Sequence, residues 1–257
     1  MESIFQNIES TNRMAFRAKN YFSHTVGNYR VFTADSRFEV FQALQLRGQV
    51  FLNNQDLDID EFDLIADHIL IEDVKKSRVI GTYRLIASVF SEKFYSETEF
   101  NIQALLKKPG IKVELGRACI HPDYRNGRSV DLLWKGISTY LRLINGKYLF
   151  GCSSVFFHEE NVEATIANLR ANYTSKAIEI SAHDPYPIKE NILAMHTTTV
   201  PSLLQSYLNA GALLYGEPYW DKKWNCVDFL TVLDIDTVSE KYKKHYFSKS
   251  LSYVENF

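Results

Sequence analysis

The chain has 257 residues, a formal net charge of −2, 46% apolar and 23% charged residues. It is long enough to bury a substantial core, its charge balance excludes a global field that recruits nucleic acid, and it has no run of about 18 apolar residues to span a membrane. Cys119, Cys152 and Cys226 lie far apart with no Cys-x-x-Cys spacing, and the start MESIFQNIES carries acids rather than a long apolar stretch. Neither a disulfide framework nor a leader peptide is expected, and a cytoplasmic protein is.

In chain order, residues 1–24 lack a clean period and read as an N-terminal arm, loose or docked as a short helix. A single domain over 25–257 is expected after it. Residues 29–33 read as a strand. Ser36 then caps a helix, with Glu39 completing a capping box. That helix carries Phe38, Val40, Phe41, Leu44, Leu46 and Val50, with Arg47 near its end. An acidic loop, DLDIDEFD over 56–63, follows. Strands are predicted over 68–72 and 79–88 with a polar turn between them, and 91–108 reads as a short helix plus loop.

Residues 113–120 form an apolar strand that His121-Pro122-Asp123 stops. After the turn at Asn126-Gly127, Leu132, Leu133, Ile137, Tyr140, Leu141 and Ile144 recur at helical spacing. Unpaired N–H groups at that helix start, with Arg125 and Arg128 beside them, suit a phosphate on a nucleotide or a phosphopantetheine arm; the alternative is a solvated basic turn. Neither the Walker pattern nor Gly-x-Gly-x-x-Gly occurs. A second buried strand is predicted over 147–157 and a helix over 159–173. Residues 175–199 read as a long loop opening a C-terminal extension. A helix bounded by Pro201 and Gly211, a last strand over 226–233 and a basic tail over 241–249 close a mixed α/β (α+β) fold.

An apolar strand, a basic turn, a helix and a second apolar strand in that order resemble the GNAT acyltransferase superfamily. Seven segments narrow the resemblance: LRGQVF from Leu46, DEFDLIADHILI from Asp60, GTYRL from Gly81, VELGRACIHPDYRNG from Val113, LFGCSSV from Leu149, VPSLLQSYLNAGALLYGEP from Val200 and WNCVDFLTVL from Trp224. Together they are similar to the bacterial ornithine–acyl-carrier-protein N-acyltransferases of ornithine-lipid synthesis, the hemolysin-like branch. Acyl-homoserine-lactone synthases share part of the pattern at Arg47, Asp60, Glu61, Asp63, Arg84, Glu114 and Arg117. They carry an early tryptophan, whereas the first here is Trp134.

The resemblance implies a GNAT-like mixed central sheet flanked by helices, with two central parallel strands splayed. It implies transfer of a (3-hydroxy)acyl chain from acyl carrier protein to the α-amine of ornithine, giving lyso-ornithine lipid. The superfamily's Arg/Gln-x-x-Gly-x-Gly/Ala turn holds the coenzyme A pyrophosphate. Arg125-Asn126-Gly127-Arg128-Ser129-Val130 lacks those glycines, so the single phosphate of an acyl-phosphopantetheine arm is expected at Arg125, Arg128 and Ser129, with acyl-CoA less favoured. Backbone N–H groups near Ala118, Cys119 and Ile120 are candidates for holding the oxyanion. Glu114 is the candidate base, or a structural ion-pair partner of Arg117; both reach one face only if a bulge occurs near Gly116. Asp60, Glu61 and Asp63 receive the δ-ammonium or are solvated, and Arg47 and Arg84 bind the substrate carboxylate or pair with those acids.

No metal site is expected. His68, His121 and His158 form no ligand motif, and the acidic loop lacks the glycine of a calcium loop. Ser153-Ser154 lacks a nucleophile-elbow frame. A basic face from Arg125, Arg128, Lys135 and Arg142 would steer an acidic carrier protein. Lys241, Lys243, Lys244 and Lys249 face anionic lipid in a peripheral contact, or solvent. The alternatives are a glycine or lysine acceptor, a lactone synthase, and a non-catalytic membrane-active protein.

Overall fold

The computed structural model describes residues 16–157, 161–187 and 198–247. In chain order they form strands β1 (Ser23–Val26) and β2 (Tyr29–Thr33), helix α1 (Arg37–Phe51), strands β3 (Asp67–Asp73), β4 (Arg78–Ala87) and β5 (Phe100–Asn101), and helix α2 (Gln103–Leu106). Strand β6 (Ile111–Ile120), helix α3 (Gly127–Ile144), strand β7 (Gly146–Phe156), helix α4 (Val162–Tyr173) and strands β8 (Thr174–Ser175) and β9 (Ser181–Ala182) follow. Helix α5 (Ser202–Ala210) and strands β10 (Leu213–Asp221) and β11 (Cys226–Asp234) complete the mixed α/β fold. The chain divides into two compact units: the first holds residues up to 91 and 116–145, the second 92–115 and 146–248.

In the first unit the strands run in the order β1-β2-β3-β4-β6, with β1 to β4 antiparallel to their neighbours. Side-chain alternation along a strand decides which helix each residue meets. Phe32 and Leu70 pack with Ala43 and Leu46 of α1. Their neighbours Val31 and Ile69 face α3, where a Cβ on Gly136 would come within 2.9 Å of Ile69 and 3.1 Å of Val31. Glycine is what lets that helix lie so close to the sheet. Helix α1 begins as its capping residues dictate: Ser36 Oγ accepts from the Glu39 amide, and the Glu39 carboxylate accepts from the Asp35 amide.

Asp67 ties the segment before β1 to this unit. Its carboxylate accepts from the amides of Lys19 and Asn20 and from Tyr140 Oη on α3. These partners are distant in sequence, so local periodicity could not announce a docked segment, and β1 lies partly inside the stretch read as an arm.

In the second unit β7 pairs antiparallel with β11 from Tyr148 opposite Asp234 to Phe156 opposite Cys226. Strand β10 flanks β11, and β8 runs parallel to β10. The first residues of β6 run parallel to β7, in a register from Ile111 opposite Gly146 to Glu114 opposite Phe150. Just beyond, a Cβ on Gly151 would stand 2.2 Å from the Leu115 carbonyl oxygen, an approach only glycine permits. Val155, Ile166, Leu169, Leu204, Leu208, Leu214, Val227 and Phe229 fill the core beneath α4 and α5.

Strand β10 departs from the sequence reading, which placed no strand between the helix ending at Gly211 and the last strand over 226–233. Gly216, at φ 75, and Pro218 look like breakers, but they fall where the register with β11 shifts between Tyr215 and Tyr219. A bulge accommodates both. The long loop predicted over 175–199 contains β9, which pairs with β5. Pro201 and Gly211 do bound α5. The basic tail forms short helical turns over Glu240–Tyr242 and Lys243–Phe247; His158 and Lys249 lie outside the described residues. Among the described residues no helix is long and apolar enough to cross a membrane.

Candidate functional site

Two buried polar clusters stand out, one in each unit. The first is built on Arg47, whose side chain is wholly buried at the end of α1. Its guanidinium donates from Nε to Asp58 at 2.7 Å, and from Nη1 and Nη2 to the two oxygens of Asp63 at 2.6 and 3.1 Å. Arg84, from β4, reaches Asp60 at 2.5 Å and Asp63 at 3.3 Å. Arg117, from β6, reaches Asp60 at 2.9 Å and Asp58 at 3.3 Å. Asp60 also caps the 3₁₀ turn Glu61–Leu64, accepting from the Phe62 amide, while Asp63 accepts from the Asp60 amide.

Three carboxylates therefore face three guanidiniums, and the acidic loop is drawn inward rather than solvated. Burial alone would raise the Asp63 pKa, but Arg47, then His68 and Arg84, hold it well below the usual carboxylate range. Burial lowers His68 to about 4, so its ring is neutral at pH 7. Both Asp63 oxygens are committed, and an ammonium arriving there would have to displace a guanidinium. Glu61 is exposed and stands apart from the network. Asp58, from the same acidic loop, belongs to it as fully as Asp63.

Arg117 takes a left-handed backbone at φ 51 within β6, an irregularity one residue after the glycine where a bulge was expected. Cys119 packs among Phe32, Ala34 and Leu70, and burial pushes its thiol up to about 12. Its carbonyl lies beside Gly81 of β4, and the His121 amide donates to Ile80 of the same strand at 2.8 Å. Since backbone groups alternate between strand edges, the Cys119 amide shares that edge, and the amides of Ala118 and Ile120 point away from β4.

At the turn before α3, Asn126 Oδ1 accepts from the amides of Arg128 and Ser129, and Ser129 Oγ donates to the Tyr124 carbonyl at 2.6 Å. These donors are thus already engaged. Arg125 and Arg128 are exposed, Arg125 near the Ile120 carbonyl and Arg128 over the Tyr29 ring. Lys135 and Arg142 are half-buried instead. Lys135 pairs with Asp131 at 2.8 Å, and Arg142 lies beside Thr139. The basic face therefore comes down to two arginines.

In the second unit Glu114 is buried, and its carboxylate accepts from the amides of Tyr95 at 2.7 Å and Ser96 at 2.6 Å. It anchors the 3₁₀ turn Tyr95–Thr98, which leads to Glu99. Glu99 is only 3% exposed. Burial, then the charge of Asp228, pushes it up to about 8, while hydrogen bonds with Cys152 and Tyr95 work in the opposite direction. Ser96 Oγ lies 3.5 Å from Cys152 Sγ, and Ser154 Oγ donates to Asp228 at 2.5 Å. Ligating atoms of Asp221, Cys226 and Asp228 lie within 4.8 Å of one another. Cys152, Ser153 and Ser154 remain partly exposed in mid-strand, whereas Tyr148 to Gly151 before them are buried. Nothing local in the mixed stretch around Glu99 signalled this cluster; its partners Cys152, Asp221 and Asp228 are more than 50 residues away.

Residues 36–135 match the family described as acetyltransferase (GNAT) domain. The chain is 30% identical over 267 residues to an L-ornithine N(alpha)-acyltransferase of Rhizobium meliloti (strain 1021), covering 93% of this chain and 84% of the relative. It is 29% identical over 259 residues to an L-ornithine N(alpha)-acyltransferase of Brucella abortus (strain 2308), covering 89% and 92%. Among solved structures, an N-acyl amino acid synthase from uncultured soil microbes aligns over 81% of this chain and 93% of its own at a TM-score of 0.51, with 9% identity. That last likeness is one of fold.

Proposed function

The chain belongs to the family of L-ornithine N(alpha)-acyltransferases, and on that premise we propose that it moves a (3-hydroxy)acyl chain from acyl carrier protein to the α-amine of ornithine. It is an acyltransferase of the GNAT type. The observation carrying the reading is the extent of the match, which spans 93% of this chain.

Acyl transfer from a thioester needs a positioned neutral amine, a polarised carbonyl and a held oxyanion. The amides of Ala118 and Ile120, turned away from β4, are suited to the oxyanion. Glu114, fixed by two amides, holds the turn carrying Ser96 and leading to Glu99. The donor is tethered through one phosphate, and the committed amides of Arg128 and Ser129 fit that better than a pyrophosphate, which needs several free backbone donors. Exposed Arg125 and Arg128 supply the positive charge for a phosphopantetheine arm and for an acidic carrier protein.

The test is a donor comparison with ornithine as acceptor, following thiol release from 3-hydroxyacyl carrier protein and from the matching acyl-CoA. The carrier-bound donor is expected to have the larger kcat/KM, by about 10-fold or more, and the gap should shrink as salt is raised. Equal use of both donors at every salt concentration would sink the carrier-protein assignment.

A further inference from the structure

Glu99 Oε2 is buried with no hydrogen-bond partner among the described residues. Leaving a carboxylate oxygen in that state is costly unless something arrives to meet it. The charges acting on Glu99 come from Asp228 on β11 and Asp221 at the end of β10. Burial first, then Glu99 and Asp228, hold the Cys152 thiol well above its ordinary value. Burial, then Asp228 and Asp221, do the same for Cys226. Asp221 Oδ1 is engaged by the amides of Lys223 and Trp224 in the hairpin turn. A buried carboxyl with an unmet oxygen, acids around it and a part-exposed polar strand segment beside it make a receptor for a cation.

We infer that Glu99, with Asp228, binds the side-chain ammonium of a basic amino-acid acceptor, with Cys152 and Ser154 beside it. This rests on the acyltransferase reading and adds the residues that select the acceptor. An ammonium suits the cluster because its N–H groups can donate to the unmet Glu99 oxygen. The acids of the first unit are already matched by Arg47, Arg84 and Arg117. The ammonium enters charged, and below about pH 8 Glu99 gives up its proton to solvent as the cation binds. Selection of the ammonium therefore strengthens as pH rises toward 8. The groups facing Glu99 across this change are Asp221, Asp228, Cys152, Tyr95 and Tyr219.

The experiment compares ornithine with norvaline, which has the same carbon skeleton without the side-chain ammonium, in the full chain with acyl carrier protein as donor. The parent should favour ornithine by about 100-fold or more in kcat/KM, and the ratio should rise between about pH 6.5 and 8. Glu99→Gln and Asp228→Asn should each cut the ratio at least about 10-fold, with thermal midpoints recorded to show that they fold. Calorimetric binding of ornithine without donor should weaken in the same variants. A parental ratio that ignores pH, or a folded Glu99→Gln that keeps the ratio, overturns the inference. A stoichiometric divalent metal found by elemental analysis and lost in Asp228→Asn also overturns it. Ornithine binding that needs Glu99 in a protein that acylates nothing would uphold this site and remove the acyltransferase reading.

Discussion

Replacing Arg47 by methionine should destabilise the protein by about 3–5 kcal/mol, because it takes the closest guanidinium from two buried carboxylates. Methionine fills much of the same volume, so a simple cavity is not the cause. Asp58 and Asp63 would each lose their shortest ion pair, at 2.7 and 2.6 Å. The loss is measured as a shift in urea-unfolding free energy at pH 7. It also has a pH signature. The Asp63 pKa is depressed in the folded parent, so its stabilisation is present above its unfolded value and disappears as pH falls through that value and below. In Arg47→Met the same buried carboxyl keeps only the longer contact to Arg84, at 3.3 Å, and holds its proton more readily than in the parent. The stability gap between the two proteins should therefore narrow as pH falls toward about 4 and go on narrowing below it. A variant within about 1 kcal/mol of the parent at pH 7 would mean the network is no more than a surface salt bridge in its effect.

Replacing Glu114 by alanine should lower kcat/KM by on the order of 100-fold, since displacing a supporting turn by about 1 Å can have that effect. Its carboxylate is the acceptor for two amides of the turn that leads to Glu99. A buried donor, the Ser96 amide, and a part-buried one, the Tyr95 amide, would lose their partner, at about 1–3 kcal/mol each at most. The pH–rate profile separates anchoring from proton abstraction. If Glu114 positions the turn, its variant keeps the shape of the profile at reduced height. If it is the base, Glu114→Gln removes the acidic limb altogether.

Much of the chain was legible because its signals are local. Ser36 and Glu39 announced α1, the apolar runs announced β6 and β7, and Pro201 with Gly211 bracketed α5. The functional residues divide along the same line. Arg47, Asp60, Asp63, Arg84 and Arg117 could be named from their resemblance to a known pattern, yet only coordinates show that they neutralise one another. Glu99 carried no signal, since its meaning depends on Cys152 and Asp228 far along the chain. Strand β10 was hidden because Gly216 and Pro218 act as breakers in most contexts, and the bulge that tolerates them forms only against β11.

The most direct test of the central claim is to incubate the protein with 3-hydroxyacyl carrier protein and ornithine, and to locate the new amide by tandem mass spectrometry. The expected product is ornithine acylated on its α-amine, with the side-chain amine free and one carrier thiol released per amide formed. Acylation at the side-chain amine, or no ornithine-dependent thiol release, would contradict it.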